Sequence, residues 1–322
     1  MRVLLDAMGA DKAPVPEVLG ALRALREFPE LEVILVGDER EIRKHLRGRP
    51  RRLRVVHAPQ RVLPSDKPSA ALREKRQSSM ALAVRMLKEG QGDALISAGN
   101  TGALMAFSLM TLGRISGVKR PGIGATFPRV RGGYTLVLDV GAAVDLKPFN
   151  LLQLAIMGSV AYKALFGTRR PRVALLSVGE EETKGSRLVQ EAKRLLLGSG
   201  LNYVGFVEGH ELLTDKADVV VMDGFVGNSL LKFGEGLVQA LFSLAKEEVK
   251  RRPLALLGAL LMKGALRGLL KKVDFEEHGG APLLGVEGLV LVSHGRSSPR
   301  AIANAIRTAR ELHIRGFPQE MR

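Results

Sequence analysis

Two short segments of the chain set the same residue types at the same kind of junction. In "DALISAGNTGALMAF", residues 93–107, an apolar run gives way to Ser97, Gly99, Asn100, Thr101 and Gly102 and then to a helical pattern. The segment "DVVVMDGFVGNSLLKF", 218–233, repeats the order: apolar strand, glycines including Gly227, Asn228, a hydroxyl residue, helix. A helix start offers unpaired backbone N–H groups and the positive end of the helix dipole. Glycine lets an oxyanion approach that backbone, and Asn and Thr add donors, so the natural occupant is an anion, most simply phosphate. Lys232 follows Asn228 by one helical turn and could add charge. The plain alternative is a capped helix with a glycine turn, beside an ordinary surface lysine.

Further cations stand at other places. In "SVGEEETKGSRL", 177–188, Lys184 lies just before a helix start, where a cation opposes the dipole. It is a candidate anion ligand, or else a partner of Glu180, Glu181 or Glu182. Arg73, Lys75 and Arg76 sit beside Ser78 and Ser79 on an expected helix, either as a solvated face or as contact points for an acidic partner. Asp6, Asp139 and Asp223 end apolar runs, and His294 follows another. In doubly wound sheets ligands bind outside the carboxyl ends of strands.

These residues need a frame. The 322-residue chain is 46% hydrophobic, enough for one large α/β domain or two joined lobes. Runs such as "RVLLDAM", "LEVILVGD", "RLRVVHA", "GYTLVLDVG", "RVALLSVG", "NYVGFVEG" and "LVLVSHG" alternate with helix-length segments at 67–90, 148–166, 185–198 and 298–313. That alternation predicts a doubly wound, mostly parallel sheet in a three-layer α/β/α arrangement.

Composition narrows the chemistry. There is no Cys, hence no disulfide, thiolate zinc site or Cys nucleophile. Lys and Arg number 49 against 33 Asp and Glu, and the net charge of +16 favours an anionic partner. Phosphate-loop, nucleophile-elbow and dinucleotide-fingerprint patterns are absent. "HELLT" at 210–214 fails as a zinc motif because Thr214 replaces the second His. The charge leaves a non-catalytic nucleic-acid- or membrane-binding module as an alternative, though no Trp and only 3 Tyr are there to stack bases.

Residues 235–272 form an expected helical excursion. Leu237, Val238, Leu241, Phe242, Ala245 and Val249 make a stripe at helical spacing, and Pro253 breaks the helix. The Leu-rich piece that follows is flanked by Lys263, Arg267 and Lys271, an arrangement suited to an anionic bilayer or to an oligomer interface. Its longest nearly uncharged window, 253–262, is half the roughly 20 residues of a membrane span. Asp6 interrupts the opening apolar run, so no signal peptide is read there. The expectation is a cytoplasmic protein able to touch a membrane.

Ordered pieces of the chain resemble the bacterial phosphate acyltransferase family, PlsX. They include "DAMGADKAP", "ILVGD", "SAGNTGALM", "LDVGA", "IMGSV", "ADVVVMDGFVGN", "GGAPLLG" and "HG.S", running from residue 4 to residue 297. Ala10, Lys12 and Ala143 depart from the family's usual Gly, His and Asn and receive no role. The resemblance implies a fold like isopropylmalate dehydrogenase and phosphotransacetylase. It implies transfer of a long-chain acyl group from acyl carrier protein to inorganic phosphate, without cofactor or metal. It also implies a homodimer at the inner membrane face, handing acyl phosphate to a glycerol 3-phosphate acyltransferase. In that scheme Lys184, Asn228 and Asn100 are the catalytic candidates, and Gly99, Thr101, Gly102, Gly227 and Lys232 complete the phosphate and oxyanion site. Asp6, Asp139, Asp223 and His294 orient groups or move a proton. Arg73, Lys75, Arg76, Lys263, Arg267 and Lys271 contact carrier protein or membrane. A short-chain phosphotransacylase using a coenzyme A thioester would use the same chemistry and stays open at this level.

Overall fold

Strands of this sequence carry apolar side chains on both faces, so each must be covered twice. In β1 (Arg2–Asp6), Val3 and Leu5 join one buried cluster while Leu4 joins another, as the two-residue period of a strand requires. The computed structural model describes every residue except 47, 49, 267 and 269–278. It shows one sheet of 11 strands between two helical layers.

The remaining strands are β2 (Glu32–Gly37), β3 (Leu53–His57), β4 (Ala94–Ser97), β5 (Gly122–Pro128), β6 (Tyr134–Leu138), β7 (Arg172–Leu176), β8 (Asn202–Val207), β9 (Val219–Val221), β10 (Ala281–Leu284) and β11 (Val290–Val292). The helices are α1 (Val15–Glu27), α2 (Glu39–Lys44), α3 (Pro68–Glu74), α4 (Ser79–Lys88), α5 (Thr101–Thr111), α6 (Pro148–Phe166), α7 (Arg187–Leu197), α8 (Gly224–Lys250), α9 (Pro253–Leu261), α10 (Pro299–Ile314) and α11 (Phe317–Glu320).

Strand order is β3-β2-β1-β4-β11-β10-β5-β6-β9-β7-β8. The first five strands are mutually parallel, and so are the last four. Between them β10 and β5 pair antiparallel with each other and with their outer neighbours. Three successive reversals mean that the two parallel blocks run in opposite senses. A single parallel sheet would put every strand's carboxyl end on one edge. Here register does something else: Ala281 pairs Val292 near the end of β11, Leu283 pairs Ile123, and Gly124 pairs Leu138 at the end of β6. The carboxyl ends of the two blocks therefore approach each other across the central ribbon.

The strands read from apolar runs all form. The two that reverse the sheet do not announce themselves: "GIGATFP" of β5 is interrupted by Gly and Pro, and "APLL" of β10 is four residues with a Pro. The expected helix at 67–90 is two helices. The first stops at Glu74 with Lys75 as its C-cap, and Ser78 caps α4, its Oγ accepting from the Ala81 amide, while Ser79 N–H donates to the Gln60 carbonyl.

Of the 27 residues of α8, only Gly224 and Gly227 are buried. The helix leaves the body of the protein and ends at Arg251–Arg252, before Pro253 opens α9. Phe233, Leu237, Leu241 and Leu244 stand exposed along its outer side. Lys263 is also exposed, whereas Arg267 and Lys271 lie outside the described residues.

Candidate active site

Glycine spacing brings the two junctions into contact with their surroundings. A Cβ on Gly9 would lie 2.7 Å from the Gly99 backbone nitrogen, so the loop after β1 presses on the turn after β4. A Cβ on Gly227 would lie 1.8 Å from the Asp139 carbonyl oxygen, so α8 is driven against the end of β6. Gly102 is likewise a packing position, its missing side chain leaving room for Pro68.

Three of the predicted carboxylates serve as internal scaffolding. Asp6 accepts from Ser97 Oγ at 2.7 Å and from the Met8 amide; Ser97 Oγ in turn accepts from the Gly99 amide. Burial raises the Asp6 pKa. Asp139 accepts four backbone N–H groups, from Ile123, Gly141, Ala142 and Ala143. Burial pushes its pKa up as well, against the four amides that favour its charge. Asp223 caps α8 through the Phe225 amide at 2.9 Å. All three orient backbone, and none lines the cleft described next.

A cleft of about 1030 Å³ opens where the two blocks meet. Gly99 and Thr101 enter it from β4 and α5; Gly141, Asn228 and Lys232 enter from β6 and α8; Ser293, His294 and Arg296 enter from the loop after β11. Both Gly-Asn junctions thus face one space. Its other walls are mixed: Ile123 and Ala125 of β5, Val140, Val292, and Leu231, Val238 and Phe242 of α8 are apolar, with Thr126, Glu235, Gln239 and Ser243 among them.

Asn228 and Asn100 are spent differently. Asn228 packs over Gly141, and among the described residues its side chain has no hydrogen bond. Asn100 caps α5 by accepting from the Ala103 amide at 3.0 Å, and its Nδ2 donates to the carbonyls of Leu63, Pro64 and Asp66. That amide is committed to the 63–66 loop.

The strongest electrostatic feature is a pair of donors. Lys232 Nζ lies 3.3 Å from His294 Nε2 and donates to Glu235 at 2.9 Å. The Arg296 amide donates to His294 Nδ1 at 3.1 Å, which assigns the proton of the neutral ring to Nε2. Partial burial, then the Lys232 charge, holds the His294 pKa below its ordinary 6.5. An ammonium and an imidazole N–H therefore face each other, donor against donor. An anionic acceptor between them removes the conflict. Ser293 Oγ, buried in the same wall, has no hydrogen-bond partner among the described residues.

Lys184 is not brought to the cleft. It is exposed on the turn after β7, one strand beyond β9 and away from β4, with its stem over Gly179. Of the basic trio, Lys75 is paired with Asp66, and Arg73 and Arg76 are exposed. Among the described residues no group of three His, Asp or Glu is placed to hold a metal ion. Sequence reasoning found Gly141 and Ser293 only as strand-end residues, without an individual role, and missed Arg296 and Glu235. For Glu235 a signal existed: it follows Lys232 by three residues on one helix.

A family profile described as "Fatty acid synthesis protein" matches residues 1–320. A protein of Desulfitobacterium hafniense named "Phosphate acyltransferase" is 48% identical over 325 residues, covering 100% of this chain and 97% of the relative. The chain belongs to the phosphate acyltransferase family. Among solved structures, a phosphotransacetylase from Streptococcus pyogenes superposes with TM-score 0.62 at 15% identity, over 97% of this chain and 94% of that one. A 4-hydroxythreonine-4-phosphate dehydrogenase from Klebsiella pneumoniae does so with TM-score 0.56 at 14% identity, over 98% and 99%. These likenesses establish the fold, as the family resemblance leads one to expect.

Proposed function

We propose that the cleft transfers an acyl group from a thioester to inorganic phosphate, the thioester being that of acyl carrier protein. The observation that carries this reading is the convergence of Lys232 and His294 Nε2–H with Asn228 and the α5 start, beside an apolar wall. Phosphate fits the donor pair, and an acyl chain fits the wall. Phosphate is already a nucleophile at neutral pH, so the protein's work is to hold it against the carbonyl and to receive the charge that develops.

In this scheme Lys232, His294 and Asn228 hold phosphate. Its oxygen attacks the thioester carbon, and charge builds on the carbonyl oxygen, which Thr101 and the amides at the start of α5 receive. Collapse re-forms the C=O bond, breaks the C–S bond and sends the electron pair out on sulfur. Thiolate leaves readily, so no general acid is required. Asp6, Asp139 and Asp223 hold the backbone that holds these groups. Orientation of this kind contributes on the order of 7–11 kcal/mol to such a step.

The carrier protein is acidic by this reading and is met by the excess of basic residues, with Arg73 and Arg76 exposed to contribute. The exposed outer stripe of α8 and the apolar Leu260, Leu261 and Met262 at the end of α9 suit a second copy of the chain and a lipid surface. This supports a homodimer attached to the inner membrane face, delivering acyl phosphate to a glycerol 3-phosphate acyltransferase.

The test is thiol release from long-chain acyl carrier protein, with and without phosphate, while hydroxylamine traps acyl phosphate. Phosphate-dependent release with trapped product is expected. Turnover only with a short acyl-coenzyme A would replace the donor, and silence on both would remove the reading.

A further inference from the structure

The cleft changes character along α8. Asn228, Lys232 and Glu235 occupy the end nearest the strand termini, and Val238 and Phe242 continue along the helix with the uncharged Gln239 and Ser243 beside them. Leu231, Glu235, Val238 and Phe242 are half-buried, whereas Leu237 and Leu241 point outward. Spacings of three and four residues keep the inner set on one side of the helix. Ile123 and Ala125 of β5 line the same cleft.

A helix is also a ruler. At about 1.5 Å per residue, Phe242 lies roughly 15 Å beyond Lys232 and roughly 21 Å beyond Asn228. An extended chain of single bonds advances about 1.2 Å per bond, as the protein backbone does over its three bonds per residue. The distance from the phosphate donors to Phe242 thus matches an extended chain of roughly 12–17 carbons.

We propose that Phe242 sets the acyl-chain length accepted by the cleft, its ring closing the apolar end of the groove whose polar end is Lys232 and His294. The inference rests on the acyl-transfer reading and adds a specificity-determining residue to it. Chains shorter than the groove leave apolar wall unfilled; longer ones must displace the ring or bend into water. Val238 lies one turn nearer the phosphate end, so an added ring at that position shortens the groove by about five bonds.

Binding of alkylphosphonates of graded length tests this by calorimetry, on the wild-type protein, Phe242→Ala and Val238→Phe. Both substitutions lie on the protruding part of α8, and a thermal melt checks each fold. Wild-type affinity is expected to rise roughly fourfold per methylene and to stop rising between about 12 and 17 carbons. Phe242→Ala moves that break to longer chains, and Val238→Phe moves it to shorter ones. An unmoved break in both variants, an unbroken rise in the wild type, or no binding overturns the assignment. Phosphate-dependent thioester turnover is measured on the same proteins. Its absence alongside a movable break would sink the acyl-transfer reading and leave Phe242 as the measure of chain length.

Discussion

The junction after β4 and the junction after β9 share strand, glycine, asparagine and helix, yet they do different work. At the first, Asn100 is consumed by its helix and by the 63–66 loop, and Gly99 is a contact surface for Gly9. At the second, Asn228 is left open to the cleft while Asp223 does the capping. The first junction is built and the second is available. What separates them is the neighbouring chain: a loop of bare carbonyls lies beside Asn100, and the Cα of Gly141 lies beside Asn228. Identical residue types acquire opposite uses from partners far away in sequence.

Substitutions can break that contrast. The largest effect is expected for Lys232→Ala and Asn228→Ala, each losing about 10²–10³-fold in kcat with an unchanged melt. Steady-state kinetics beside calorimetry decides it, and normal turnover in either variant would remove that residue from the anion site. Gly227→Ala should be next. Its methyl group meets a backbone carbonyl that cannot rotate away, so about 1–3 kcal/mol of stability is lost in a urea titration. Asn100→Ala should cost about 1–2 kcal/mol of stability through the lost cap and loop bonds, with kcat reduced far less than in Asn228→Ala. Equal kcat losses for the two asparagines would make the junctions alike after all.

A separate, pH-dependent effect is expected from what stands behind the first junction. Glu17 is fully buried and accepts the Ala10 amide at 2.8 Å, beside Gly9. Burial raises its pKa from 4.5 to about 8, with a smaller push from Asp6 and a smaller pull from Arg61. A carboxyl raised in this way keeps its proton longer in the folded chain than in the unfolded one. Its contribution is complete below pH 4.5 and is lost as pH rises through about 8. The slope is on the order of 1 kcal/mol per pH unit within that window. Glu17→Gln, which keeps an acceptor for Ala10, should flatten the pH dependence of the melting temperature, and an unchanged slope would assign it to other groups.

Much of this was legible in the sequence because it depends on local pattern. Apolar runs gave nine strands their positions, and α6 matches its expected bounds, with proline at its start and left-handed Gly167 after its end. The strand-end residues Asp6, Asp139 and Asp223 were readable as orienting groups, since an acid closing a strand finds backbone amides waiting. The uses of Asn100 and the position of Lys184 were not readable. Both depend on sheet order, and sheet order turns on β5 and β10, whose Gly- and Pro-containing sequences carry no strong strand signal. The Lys232–His294 pair, separated by 62 positions, follows from the same crossing.

The opposed halves of the sheet have a mechanical consequence. His294 and Thr101 ride on one block, and Lys232 and Asn228 ride on the other. Only the β10–β5 ribbon fixes the distance between them within the sheet, through the pairs Leu283–Ile123 and Leu284–Gly122. The site is the gap of a caliper, and its jaw setting is stored in a seam of which only Ile123 reaches the cleft wall. Gly122 sits in that seam, where an added methyl group would reach 2.2 Å from Leu154 Cδ2. A substitution that spreads the seam resets the gap for both jaws at once.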